Sequence, residues 1–269
     1  MATMPTPAAT PRQAAPTLET QHLLFHYVLQ LADTSLILGH RLSEWCGHGP
    51  ILEQDLAMAN IALDLLGETR SLYQYAAELE GRGRTEDDLA FLRIATDYKN
   101  PLLVEQPNGD FAHTVVRQFL FDNFHYHFLQ QLQTSPDERL AAIAEKSVKE
   151  AAYHLKWSAE WVIRLGDGTE ESRRRIEKAI SALWRYSGEL TTSTATEKAL
   201  QNLGFIPDYA TLQPSLDAYV AKVFAEATLP VPQNVFMQLG GKEGKHSEHL
   251  GYILTELQYM QRTYPGLTW

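Results

Sequence analysis

The sequence predicts an all-α protein, and two observations carry that prediction. Apolar residues recur at helical spacing along almost all of the 269 residues, while the period-2 alternation of a half-buried strand never persists for more than a few positions. Turn chemistry falls where these long periodic runs stop, which divides the chain into a few long helices.

A first helix is predicted from about Thr20 to Trp45, where Leu24, Tyr27, Val28, Leu31, Ile37 and Leu38 supply a wide apolar face before Gly47-His48-Gly49-Pro50 ends it. A second covers about Ile51 to Leu79, with Leu56, Ile61, Leu65, Leu72 and Tyr75, and stops at Gly81-Arg82-Gly83. The short link makes these two antiparallel neighbours. An irregular stretch follows and closes in the turn residues Gln106-Pro107-Asn108-Gly109-Asp110. The third helix, about Phe111 to Leu132, is crowded with Phe119, Phe121, Phe124, Tyr126 and Phe128. Ser135-Pro136-Asp137-Glu138 then starts a fourth, because proline suits a first turn and acids complement the dipole there. It runs to Leu165 and ends at Gly166.

Two long pairs joined by a longer crossover describe a ferritin-like four-helix bundle. Additional C-terminal helices are predicted at about Glu170 to Leu190, Ser215 to Ala227 and Ser247 to Tyr264, with an irregular region around Gly204 and Pro207 between the first two. The first 18 residues, rich in Pro, Ala and Thr, read as a disordered tail without the apolar or basic features of a secretory signal. Residues 19–269 read as a single ferritin-like domain.

Composition excludes several classes of partner. With 33 acidic and 23 basic residues the formal charge is −10, which repels nucleic acid and anionic lipid. The one dense basic run, Arg173-Arg174-Arg175, follows Glu170 and Glu171 and reads as a solvated helix start. A single cysteine, Cys46, rules out an intrachain disulfide and any cysteine-based zinc or iron–sulfur site. No stretch approaches the ~20 apolar residues of a membrane span, and a soluble, cytoplasmic protein is expected.

A di-iron bundle needs a carboxylate from each of two helices and Glu-x-x-His from each of the other two, all pointing inward. On the first helix the candidate is Asp33, set among Leu29, Leu36 and Ile37. On the second it is Asp64, but Gly67 stands three residues later where an imidazole belongs. Glu68 lies one turn from Asp64, and no histidine occurs between His48 and His113. The third helix offers Asp122 and His125. On the fourth, His154 is present, but Ala151 occupies the acid position and Glu150 stands beside it. Spacings of three and four leave side chains about 60° and 40° apart around a helix, so Glu150 and His154 share a face. Four acids on four successive helices, Asp33, Asp64, Asp122 and Glu150, point to an interior polar layer without a competent di-iron centre. Asp64 also fits a wet stripe with Asn60, Glu68 and Ser71, and Glu150 fits ordinary ion pairs with Lys146 and Lys149. Buried carboxylates need partners, and Asp122, Glu150, His125 and His154 are candidates to supply a network.

Near the C-terminus, Gly240-Gly241-Lys242-Glu243-Gly244-Lys245-His246 lacks the glycine spacing and the Ser/Thr of a phosphate loop and reads as a flexible entry to the last helix. His246, Glu248, His249 and Glu256 offer a zinc-like set, against which stands a plain polar helix start.

The segments RLSEWCGHGP, ANIALDLLGETR, LLVEQPNGDFA, KEAAYHLKWS and GGKEGKHSEHLG, in that order, closely resemble the C-subunit family of bacterial phenylacetyl-CoA oxygenases, the 1,2-phenylacetyl-CoA epoxidases. The resemblance runs from about residue 20 to Trp269. It implies a multicomponent monooxygenase of aerobic phenylacetate breakdown. In such an assembly a ferritin-like catalytic A subunit holds the di-iron centre, and a reductase with flavin and an iron–sulfur cluster passes electrons from NADPH. The full complex also holds a small B subunit. The C subunit is implied to be a structural paralogue bound to A, with no cofactor and no iron ligands of its own. Two rivals remain on sequence alone: a di-iron oxygenase acting by itself through Asp33, Asp64, Glu68, Asp122, Glu150 and His154, and an independent homodimeric binding protein.

Overall fold

A computed structural model describes residues 17–267. Residues 1–16 of the predicted tail lie outside that range, and Leu18 already belongs to the first helix. Four long helices form the frame: α1 (Leu18–Ser43), α2 (Leu52–Glu80), and, after two short helices α3 (Glu86–Phe91) and α4 (Leu102–Glu105), α5 (Phe111–Leu132) and α6 (Glu138–Gly166). Around them lie α7 (Glu170–Leu183), α8 (Gly188–Thr191), α9 (Ala195–Asn202), α10 (Tyr209–Glu226) and α11 (Glu248–Thr263). Among the described residues there is no strand.

The frame follows from local chemistry. Asp110 and Asp137 cap α5 and α6 by accepting from the His113 and Leu140 N–H groups. Gly81, with φ 65°, closes α2 in the left-handed conformation. The α1–α2 hairpin packs closely because α1 carries Gly39, where a Cβ would stand 3.4 Å from both the Ala62 carbonyl oxygen and the Leu65 Cβ. Tyr27, Ile37, Leu38 and Leu42 of α1 and Phe119, Phe121 and Phe128 of α5 are essentially inaccessible and make one continuous core with α2 and α6. Helices α7 and α10 cover α5 and α6, α9 lies on α1, and α11 lies on α3 and α4.

Three predicted boundaries change. The helix expected to reach Leu190 ends at Leu183, turns through a 3-10 segment at Trp184–Tyr186 and resumes as α8. Helix α10 starts at Tyr209, so Pro214 lies inside it. Its missing N–H leaves the carbonyl of Ala210, an exposed residue, without a helical donor. The regions expected to be irregular hold α3 and α9, each opened by a capping box, Thr85 with Asp88 and Thr194 with Glu197. Among the described residues no helix is long and apolar enough to cross a membrane.

A paired polar layer in the bundle core

Helix α2 supplies two acids to the bundle, and each meets a histidine from across the core. Glu68 is buried and accepts from His125 Nε2 of α5 at 3.2 Å and from Ser35 Oγ of α1 at 2.7 Å. Asp64, half-buried, accepts from His154 Nε2 of α6 at 3.0 Å. Asp122 of α5 is buried between Gln118 Nε2 at 2.7 Å and Ser158 Oγ at 2.8 Å, both donating to its carboxylate. The histidines therefore pair with α2 rather than with the acids of their own helices.

Asp33 is inward-facing, as its apolar neighbours require, but it serves a different contact. It accepts from Tyr73 Oη at 2.7 Å, from the Lys99 backbone N–H at 2.9 Å and from the Arg93 guanidinium. Ser35, not Asp33, is the α1 group that reaches Glu68. Glu150 is half-buried and makes no hydrogen bond to His154; burial, and then the nearby Asp64 charge, push its carboxyl above the usual range. At Gly67 a Cβ would meet nothing within 4 Å, so the position three after Asp64 is open space.

These residues do not fit a di-iron centre. Asp33 is neutralised by Arg93, Gly67 and Ala151 bring no donor atoms, and among the described residues no three His, Cys, Asp or Glu side chains gather into a set that could hold a metal ion. The Nε2 atoms of His125 and His154 are engaged by Glu68 and Asp64, and their Nδ1 atoms are buried without a protein partner. The adjoining cavity has a volume of about 30 Å³ and lies between Glu68 and His125 on one side and Glu197 and Lys242 on the other. That admits about one or two waters, whereas a benzene ring fills an apolar cavity of about 150 Å³.

The layer sets the electrostatics of the fold. Burial works against ionised Glu68, but the facing His125 and the Ser35 hydroxyl hold its carboxyl down at about 2, from an ordinary 4.5. Burial also opposes a charge on His125, and the Glu68 carboxylate outweighs it and raises the imidazole. For Asp122 burial wins, lifting its carboxyl from 3.8 to about 6 against the pull of His154, Ser158 and Gln118. The native state thus holds an extra proton at Asp122 between those two values, and stability falls as pH rises through that window, by about 3 kcal/mol in all. Glu68 acts in the opposite sense: its contribution is present above 4.5 and is lost as pH falls toward 2. The share from His125 is present below its ordinary value and is lost as pH rises through the raised one. We expect Asp122→Asn to flatten the stability profile between about pH 4 and pH 6. Urea midpoints measured at half-unit steps check this, and a variant that keeps the wild-type slope there contradicts the assignment.

A second buried network leaves almost no trace in the sequence. Glu197 accepts from Lys242 Nζ at 2.9 Å, Gln30 Nε2 at 2.8 Å and Tyr209 Oη at 2.9 Å. Glu189 accepts the backbone N–H groups of Leu102 at 2.6 Å, Gly240 at 2.8 Å and Lys242 at 3.3 Å. Glu105 accepts from Asn100 Nδ2 at 2.9 Å, His246 Nδ1 at 2.8 Å and the Ser247 N–H at 2.6 Å. Segment 240–246, expected to be a flexible entry, is instead docked by three buried carboxylates. Gly241 is needed there because a Cβ would stand 2.4 Å from the Asn100 carbonyl oxygen. His246 belongs to this docking contact rather than to a set with Glu248, His249 and Glu256. The capping box at Thr194 and Glu197 is the one local signal that flags a member of this network.

Fold and layer together make a ferritin-like helical bundle whose inward acids are matched by imidazole, hydroxyl, amide and guanidinium groups of the same chain. The chain belongs to the phenylacetic acid catabolic protein family, whose sequence pattern matches residues 3–269. It is 49% identical over 243 residues, covering 90% of this chain and 98% of the relative, to the C subunit of 1,2-phenylacetyl-CoA epoxidase from Escherichia coli (strain K12).

Proposed function

We propose that this chain is the structural subunit of a multicomponent phenylacetyl-CoA 1,2-epoxidase of aerobic phenylacetate catabolism, working in the cytoplasm. Its role is to bind and stabilise a catalytic ferritin-like subunit that holds the di-iron centre. The assembly further includes a small B subunit and an NADPH-dependent reductase with flavin and an iron–sulfur cluster, and this chain carries no cofactor. The relation to the C subunit of an epoxidase supports the assembly. The non-catalytic role is supported by one observation above all: Asp33, Asp64, Glu68 and Asp122 are each taken by a partner from this chain, and Gly67 leaves the second-helix imidazole position empty.

The test is to purify the chain alone and co-expressed with its catalytic partner, then measure iron and epoxidation. The isolated chain is expected to hold no stoichiometric iron and to epoxidise nothing, while the complex does both. His154→Ala should weaken folding or assembly without lowering iron per assembled complex. About two irons per isolated chain, with oxygen consumption, would overturn the reading in favour of an independent oxygenase.

A further inference from the structure

We propose that His22 and His26 form a two-imidazole site for a late first-row divalent ion, Cu²⁺ ahead of Ni²⁺ and Zn²⁺, on the outer face of α1 and away from the bundle core. The two residues are one helical turn apart, so their side chains share a face. Their Nε2 atoms stand 3.2 Å apart and their rings meet edge to face with centroids at 4.4 Å. Two nitrogens bound cis to a metal at 2.0–2.1 Å lie about 2.9 Å apart in an octahedral site and about 3.4 Å apart in a tetrahedral one. The observed separation falls between these, so the two nitrogens already stand at chelating distance, and rotation of the rings turns both toward one ion. In the metal-free pair one Nε2–H donates to the other ring. On binding, that proton leaves Nε2 and the ring carries its proton on Nδ1 instead, so that both Nε2 lone pairs face the ion.

Three surroundings favour the site. Helix α1 is anchored on its opposite side by the buried Leu24 and Val28, and the Phe25 ring packs 5.0 Å from that of His26, so the ligands sit on a rigid element. The pair opens onto a cleft of about 930 Å³, which leaves the other coordination positions to water. The cleft carries acids and bases together, Glu78 and Glu80 with Arg82 and Arg84 among them. Such a mixed field offers little to the hard ions Mg²⁺ and Ca²⁺, which need several oxygen ligands, and leaves selection to imidazole coordination.

Calorimetry on the full untagged chain with Cu²⁺, Ni²⁺ and Zn²⁺, with the Cu²⁺ spectrum read by electron paramagnetic resonance, tests the site. We expect one equivalent of nitrogen-coordinated Cu²⁺. His22→Ala or His26→Ala should weaken it at least about tenfold, the lower bound for disturbing even the outer shell of a metal site. His48→Ala, at another exposed histidine, should change nothing. Alanine favours the helix, and circular dichroism verifies that the variants stay folded. Unchanged Cu²⁺ affinity and stoichiometry in the His22→Ala/His26→Ala double variant, or no binding by the wild type, would overturn the proposal.

Discussion

Lys242→Met lowers the unfolding free energy by about 3–5 kcal/mol, the cost of removing one member of a buried ion pair. The ammonium lies 2.9 Å from Glu197, donates to the Leu190 and Thr192 carbonyls at 3.3 and 3.2 Å, and sits 5.1 Å from the centre of the Tyr209 ring. Methionine fills similar volume but offers no donor, so the penalty comes from Glu197, which is fully buried and keeps only neutral partners. In the wild type, burial pushes the Glu197 carboxyl up, but Lys242 and its hydrogen-bond donors bring it below the usual range. In the variant the Lys242 contribution is gone, so burial again pushes the Glu197 carboxyl upward. Thermal melting should shift down by about 10 °C. Adding Glu197→Gln to Lys242→Met should recover a large part of the loss, because no unpaired charge remains buried. A double-mutant cycle that finds the two changes additive would show that the pair is not coupled.

Asp33→Asn is expected to cost a similar amount, about 3–5 kcal/mol. The substitution keeps the shape and removes the charge that faces Arg93, a guanidinium only 5% exposed and stacked 4.2 Å from the centre of the Tyr98 ring. Burial alone would lower the Arg93 pKa, and Asp33 with the flanking tyrosines reverses this. Without the carboxylate the cation is left among carbonyls and a phenol. The change also separates two roles for Asp33. An acid that binds iron would, when made Asn, reduce metal in the assembled complex with little effect on stability. A structural ion pair predicts the converse: a large drop in the urea midpoint and unchanged iron per complex. Loss of iron without loss of stability would return Asp33 to the ligand set.

Much of the frame is legible in the sequence because amphipathic periodicity is a local signal. It predicts α5 to its observed limits of Phe111 and Leu132, and the ends of α1, α2 and α6 shift by only one to three residues. The inward-facing acids follow from the same rule, since Asp33 and Asp122 repeat in phase with apolar neighbours and both are buried. The choice of partners does not. Asp33 has the spacing of the first-helix member in a four-acid layer, but its counter-ion, Arg93, comes from the stretch between α3 and α4, which has no readable pattern. Nothing local singles out Glu105 and Glu189, and Glu197 is marked only as the partner of a capping box. Their partners lie as far as 167 residues away along the chain, and a glutamate on a short helix carries no mark of burial. The glycine-rich segment 240–246 reads as loose for the same reason: composition records its backbone freedom but not the three carboxylates that hold it.

Residue type and spacing within one or two turns are enough to specify the long helices and their antiparallel pairing. They also place Gly67 and Ala151 where a di-iron bundle puts an imidazole and an acid. It takes the packed molecule to show that His125 faces Glu68, that His154 faces Asp64, and that Asp33, Glu105 and Glu197 join the bundle to the segments outside it. A carboxylate buried in a core must find its partner through space, and that partner is chosen by how helices cross, not by its distance along the chain.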